Sequence, residues 1–442
     1  MSTVEPVEDD KRLYEAIGAA ANACVDTIYG AIPLKLALRS ADNDMVWAAG
    51  DVIWQLAKPI EELLANHPQF AAVPRLYLRG EIGAVIMHPG RTANALIQHT
   101  MEFGSAERAV QWLKALLAIE EGAGRVIEAL WGVSVETAVQ LTDRVNLVPV
   151  SQLPDSPQKR ILLKQTQSLG DSIPWSMLSF TPPQSALVVG HTVKNVLCKT
   201  EELNSDLASG EKPPITKIDE LMGDVTLVLA LVGPQIPIAA ASWFEFDNPD
   251  LQYIAAKTPG YRGRALEVLP SGPMDFPSLD PAEAKEMVSL FFNLSENDRN
   301  IIRFSLQRLN IAQRRSSRGD RAVDLVVAME SLIARKEEAA ISEKIRTRAA
   351  YILCATDKEK LRIEDVLKHT YNYRSKMVHE GREPTKSRQV AGEETQPQDV
   401  IAAAIKICVD VIKCILHKGQ IPTWKEVDAE IAKHAAKTSI PG

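Results

Sequence analysis

Between Asp280 and Gly419 apolar residues recur three or four positions apart with only short interruptions. "AEAKEMVSLFFNL", "SENDRNIIRFSLQRLNIAQRR", "GDRAVDLVVAMESLIARK", "SEKIRTRAAYILC", "LRIEDVLKHTYNYRSKMVH" and "VIAAAIKICVDVIKCILHKG" follow one another in this way. Joined by short links, these segments make the pattern nearly all helix from here to the end of the chain. Punctuation agrees with the pattern. Asp280 is placed to cap a helix with Pro281 at its first position, and Ser295 and Ser342 stand where further N-caps are expected. Gly381 and Gly419 are placed to stop helices. Residues 382–399, "REPTKSRQVAGEETQPQD", are polar with two prolines and are expected to form a mobile loop.

The rest of the chain has a different texture. At 442 residues there is room for two or three domains at about 100–200 residues each. Residues 1–145 read as a helical N-terminal region, with Pro59 marking a break or kink, a strand-like "RLYLRGEIGAVIM", and helix expected again from about 92 to 130. Residues 146–279 read as mixed α/β. "SALVVGHTVKNVLCK", "IPIAAASWFEFD" and "RALEVLP" are the strands there, a helix lies near 217–232, and "GEKPP" and "LPSGPMDFPSLDP" are loops. The fold class expected is therefore mainly α with a mixed α/β middle region, and residues 280–442 are nearly all helix.

Composition bounds the function classes. Cys24, Cys198, Cys354, Cys408 and Cys414 form no CxxC, which suggests a reducing, cytoplasmic setting. The start, "MSTVEPVEDDKRLYEA", is acidic and unlike a secretory signal, and the most apolar run is broken by Gly233, Pro234 and Pro237, so no membrane span is expected. Net charge is −7, yet residues 299–382 hold 19 Lys and Arg against 11 Asp and Glu. That local excess of basic residues points to a polyanion partner or to a solvated basic face.

No GxGxxG, GxxxxGK[ST], HExxH or GxSxG is present, and the eight histidines show no metal-ligand spacing. Neither a metal nor another cofactor is expected. What remains is Arg374 and His379 in "YNYRSKMVHEG". Five residues along a straight helix turn through about 140°, so the two share no face unless the helix bends or ends there. On spacing alone, a helix-terminal histidine stabilised by the macrodipole and a functional pair both fit.

The surroundings carry more. "DLVVAMESLIA", "SEKIRTRAAYIL" and "LKHTYNYRSKMVHEG", in that order, closely resemble the ApeA-like branch of the HEPN family over about residues 300–415. The resemblance implies a HEPN-like helical bundle that forms a homodimer and cuts RNA, single-stranded or in tRNA loops, without a metal. Arg374 and His379 match the family's catalytic motif, Ser375 its polar position, and Glu330 its acidic residue, which would orient or pair with Arg374; a purely structural ion pair is the other reading of Glu330. Lys376, with Arg314, Arg315, Arg318 and Arg321 of "AQRRSSRGDR", would contact the RNA backbone; a solvated helix end is the other reading of those arginines. Tyr371 and Tyr373 either stack on bases or pack between helices.

The family's setting is prokaryotic anti-phage defence, which implies a phage-derived trigger and a sensor or inhibitor role for the N-terminal region. Two departures are visible: Glu380 separates His379 from the glycine, and Gly381 stands where some HEPN toxins carry a modified tyrosine. The alternative is a non-catalytic HEPN-like module that binds RNA or nucleotide, or mediates assembly.

Overall fold

The computed structural model describes residues 8–26, 28–29, 32–33, 50–79, 84–163, 182–202, 214–255, 262–263, 276–334, 340–353 and 356–438. It is mostly helical, with a small antiparallel sheet in its middle. The expected strand "RALEVLP", Cys354 and most of the two loops named above lie outside the described residues.

The N-terminal part packs α1 (Glu8–Asp26), α2 (Gly50–Asn66), α3 (Pro89–Phe103) and α4 (Ala106–Leu117) around Leu13, Ile17, Ile60, Leu64, Leu96 and Leu113. α2 runs on through Pro59. β1 (Leu76–Arg79) pairs with β2 (Ala84–Ile86) on one edge. Its other edge pairs with a strand over Leu197–Lys199, so this part is stitched to the middle of the chain by backbone hydrogen bonds.

Helix was expected to continue to about 130, and here the structure corrects the reading. α4 stops at Leu117, and Glu121–Trp131 is β3, the strand with most pairing in the main sheet. That sheet also holds β4 (Val139–Gln140), β5 (Val145–Pro149), β6 (Ser185–Lys194), β8 (Ile238–Phe246) and β9 (Arg262–Gly263), with Leu197–Lys199 as β7 in the smaller sheet. Its order is β9-β8-β3-β6-β5-β4, so the sheet runs across residue 145. The misreading has a physical cause. β3 is covered on both faces, Val126 and Leu130 within the main core and Ile127 and Ala129 in a second cluster with Val150, Leu153 and Leu162, so its apolar residues do not alternate with polar ones.

Gly122 and Gly124 make room for two aromatic rings of β8. A Cβ on Gly122 would lie 2.7 Å from Phe246, and one on Gly124 would lie 2.3 Å from the Glu245 carbonyl oxygen. Because a carbonyl in a paired strand cannot swing aside, Gly124→Ala is expected to cost about 2 kcal/mol or more, by overpacking. Urea unfolding followed by tryptophan fluorescence checks this; an unchanged midpoint would mean that the strands separate without penalty.

The helix expected near 217–232 is α5 (Pro214–Val228), and the C-terminal bundle comprises α6 (Pro281–Phe292), α7 (Glu296–Arg314), α8 (Arg318–Met329), α9 (Ile341–Ile352), α10 (Asp357–Glu380), α11 (Pro397–Lys418) and α12 (Trp424–Thr438). α11 fills its centre with Val400, Ile401, Ala404, Cys408, Val411, Ile412 and Ile415, all buried against α8 and α10. Burial pushes the Cys408 thiol up to about 12, so it packs as a small apolar group. Asp280 accepts from the amides of Ala282 and Glu283, and Ser295 from that of Asp298, as the sequence indicates.

Ser342 is not a cap: it lies inside α9, whose N-cap is Ala340 in a left-handed conformation (φ 58°). Residues 382–399 are not an unstructured loop. They form a hairpin of β10 (Arg388–Val390) and β11 (Glu393–Thr395), turning on Ala391 and Gly392, both with positive φ. The hairpin is held on α10, where Asp365 accepts from the Ala391 amide and the His369 ring meets the Gln389 carbonyl at 2.9 Å. The bundle is fixed to the middle of the chain by Asn310, which donates to the Pro237 carbonyl, and by Arg303, which pairs with Asp224.

Among the described residues, no helix is long and apolar enough to cross a membrane.

Candidate functional site

The motif lies in the last two turns of α10. This helix begins with a capping box, Thr356 with Glu359, and ends in a Schellman-type turn. Gly381 is left-handed at φ 63°, its amide bonds to the Met377 carbonyl, and the Arg382 amide reaches the Lys376 carbonyl. The helix thus continues to Glu380 with Arg374 and His379 both inside it, so about 140° separates them around the axis. Arg374 is half-buried, its guanidinium 5.7 Å from the Tyr371 ring centre and its Nε buried with no hydrogen-bond partner among the described residues. His379 is exposed, as are Lys376 and Glu380, while Ser375 is half-buried.

α8 runs antiparallel to α10. Gly319, at the start of α8, lies against Met377, and a Cβ there would be 2.7 Å from the Met377 sulfur. Further along, Leu325 and Met329 line a small cavity with Leu367 and Tyr371. This alignment brings the basic turn before α8 to the His379 end of α10. It also separates Glu330 from Arg374 by about 12 Å along the axis, at 1.5 Å per residue. Glu330 opens a π-helical turn, Glu330–Ala334, and among the described residues no ion pair joins it to Arg374. The orienting contact expected between them is not made within one chain.

The four arginines expected on an RNA backbone divide by their surroundings. Arg315 pairs at 3.0 Å with Asp324, which is buried and also meets Arg308 at 3.3 Å. Arg321 donates from Nε to the Arg315 carbonyl, and its burial lowers its pKa. Arg314 turns away toward Asn310, whose carbonyl accepts from its Nε, and lines an open cleft of about 560 Å³ between the sheet and the bundle, with Glu128 and Asp224. Arg318, half-buried at the first position of α8, has no ion pair among the described residues. Arg318 and Lys376 are therefore the cations of the original set best placed for an anionic ligand at this end.

Tyr373 is fully buried and packs between helices, with burial raising its phenol pKa. Glu380 faces Arg382 at 3.3 Å, an exposed pair that partly neutralises the carboxylate beside His379. Sequence reasoning missed Glu383, which accepts from the Ser317 hydroxyl and, at 3.1 Å, from the Gly319 amide. Its only signal was its place two residues after a helix-stopping glycine.

Among the described residues, no group of three or more His, Cys, Asp or Glu is arranged to hold a metal ion. Set against protein-family models, curated proteins and solved structures, the chain finds no match. Fold and site together define a mainly α-helical protein with an antiparallel sheet in its middle and a basic, histidine-bearing helix end on its C-terminal bundle.

Proposed function

We propose that the C-terminal bundle is a HEPN-type, metal-independent endoribonuclease whose active site is completed by a second copy of the chain. One observation carries the reading: His379 stands exposed at the end of α10 near Lys376, the turn that carries Arg318 packs against this end through Gly319 and Met377, and Arg374 lies on the same helix about 140° round the axis. A neutral imidazole there takes the proton from a ribose 2′-hydroxyl, the general-base role that histidine fills most often. The freed 2′-oxygen attacks the adjacent phosphorus, and the bond to the 5′-oxygen breaks. The products are a 2′,3′-cyclic phosphate and a 5′-hydroxyl, whose proton comes from the imidazolium or water. Arg374 and Lys376 hold the phosphate and balance the charge that builds on it. The N-terminal two thirds would sense a phage-derived trigger or hold the nuclease off, and the setting is cytoplasmic defence.

Bulk tRNA and a synthetic single-stranded RNA, incubated with the full chain in EDTA, test this. Cyclic-phosphate ends on RNA fragments and intact DNA of the same sequence are expected. Full-length RNA after incubation, together with harmless overexpression of the chain, counts against catalysis.

A second reading, a non-catalytic HEPN-like module that binds RNA or nucleotide or mediates assembly, is favoured by the 140° between Arg374 and His379 on a continuous helix. RNA retention without product ends supports it.

A further inference from the structure

We propose that Glu383 is a positioning residue for His379, clasping the chain just beyond the helix end to the first turn of α8. The inference rests on the nuclease reading above. Two contacts flank His379. Two residues before it, Met377 packs on Gly319, where any side chain larger than hydrogen would collide. Four residues after it, the Glu383 carboxylate accepts from the Ser317 hydroxyl through one oxygen and from the Gly319 amide through the other. The same glycine thus receives both contacts, 64 residues from Glu383 in the chain.

Ordinary helix capping does not account for the clasp. α8 already has its N-cap, since the Ser317 hydroxyl accepts from the Asp320 amide at 3.0 Å. Glu383 is a second acceptor, delivered from a distant segment, on a first-turn amide that has no acceptor within its own helix. Charge suits the position as well, because a carboxylate is favoured at the positive end of a helix. Reaching it requires the chain to reverse directly after His379, and the left-handed Gly381, with the Arg382 amide on the Lys376 carbonyl, makes that reversal. Pro384, the next residue, is buried, which fixes the far side of the turn. His379 is therefore a solvent-facing side chain on a backbone held from both directions. A general base needs this combination: access to substrate with little freedom of aim.

The test compares wild type, Glu383→Ala and Glu383→Gln as full-length chains. Glutamine keeps one acceptor oxygen, and Glu383 is exposed, so neither change removes core packing. RNA cleavage is read as kcat and KM separately, and amide hydrogen exchange is read over residues 377–386. For Glu383→Ala we expect kcat to fall about 10- to 100-fold with KM within about twofold, since misplacing a catalytic group by about 1 Å has effects of that order. Exchange over 377–386 should rise, and glutamine should restore part of both signals. Wild-type kcat in Glu383→Ala, or unchanged exchange, overturns the proposal. If wild type itself leaves RNA intact, the nuclease reading fails by that control, while the exchange data still decide whether Glu383 holds the turn.

Discussion

His379→Ala is expected to lower the rate of RNA cleavage by about 10²–10⁴-fold, the usual contribution of a positioned general base. Arg374→Ala is expected to fall at least as far, because it removes a cation from the phosphate during attack. The geometry of α10 makes a sharper test available. The two residues sit inside one unbroken helix about 140° apart, with Arg374 half-buried beside Tyr371 and His379 exposed. One chain does not aim both at one phosphate, whereas two chains related by a twofold axis can each lend one residue to a shared site. Two inactive variants should then rescue each other. When Arg374→Ala and His379→Ala chains are mixed equally and allowed to exchange, half the dimers are mixed and each holds one intact site. About one quarter of wild-type activity should return. Activity near zero after confirmed exchange would mean that each chain uses its own pair, and the shared-site geometry would have to be abandoned.

Much of the bundle was legible because its signals are local. Asp280 with Pro281, Ser295, Gly381 and Gly419 mark helix ends through contacts within four residues, and each performs that role. β3 was misread because its evidence is distant. Gly122 and Gly124 look like defects in a helix until Phe244 and Phe246, over 100 residues later, are seen to occupy the space they leave. The hairpin after α10 was hidden for another reason. Its turn uses Ala391 at φ 51°, a conformation alanine rarely adopts, and its support comes from Asp365 and His369 on a neighbouring helix.

At the site, residue types were readable and their employment was not. Four arginines in eight residues suggest a ligand surface, but Asp324, one turn further on, holds Arg315, and the Arg315 carbonyl holds Arg321. Glu330 suggested a partner for Arg374, and only the antiparallel register of α8 and α10 reveals the distance between them. Sequence spacing fixes neighbours along one helix; the alignment of two helices is set by the packing between them.

Elsewhere in the bundle a buried cation joins three segments, and here the largest stability effect is expected. Arg348 of α9 is wholly inaccessible. Its Nε and Nη2 donate to the two carboxylate oxygens of Asp428 at 2.8 and 2.7 Å, its Nη1 donates to the Ile333 carbonyl of the π turn, and its guanidinium lies 5.4 Å from the Trp424 ring centre. It thus ties α12 and the segment after Glu330 to α9. Removing Asp428 would take from a buried guanidinium the carboxylate that accepts two of its hydrogen bonds, so Asp428→Ala is expected to cost about 3 kcal/mol, the low end for a broken buried pair because Asp428 itself is partly exposed. Arg348 holds the Asp428 carboxyl below its ordinary 3.8 through hydrogen bonds and charge. Its folded pKa is therefore the lower one, and the stabilisation is full above the unfolded value and lost as pH falls through the folded value. The gap between wild type and Asp428→Ala should be complete at neutral pH, should begin to narrow below about pH 4, and should go on narrowing as pH falls through the lower folded value. Urea unfolding at both pH values, with amide exchange over 424–438 reporting α12 directly, makes the comparison. A cost below about 1 kcal/mol at neutral pH, as for a surface pair, would mean that water reaches Arg348 once Asp428 is gone, and that α12 is held by Trp424 and its apolar neighbours alone.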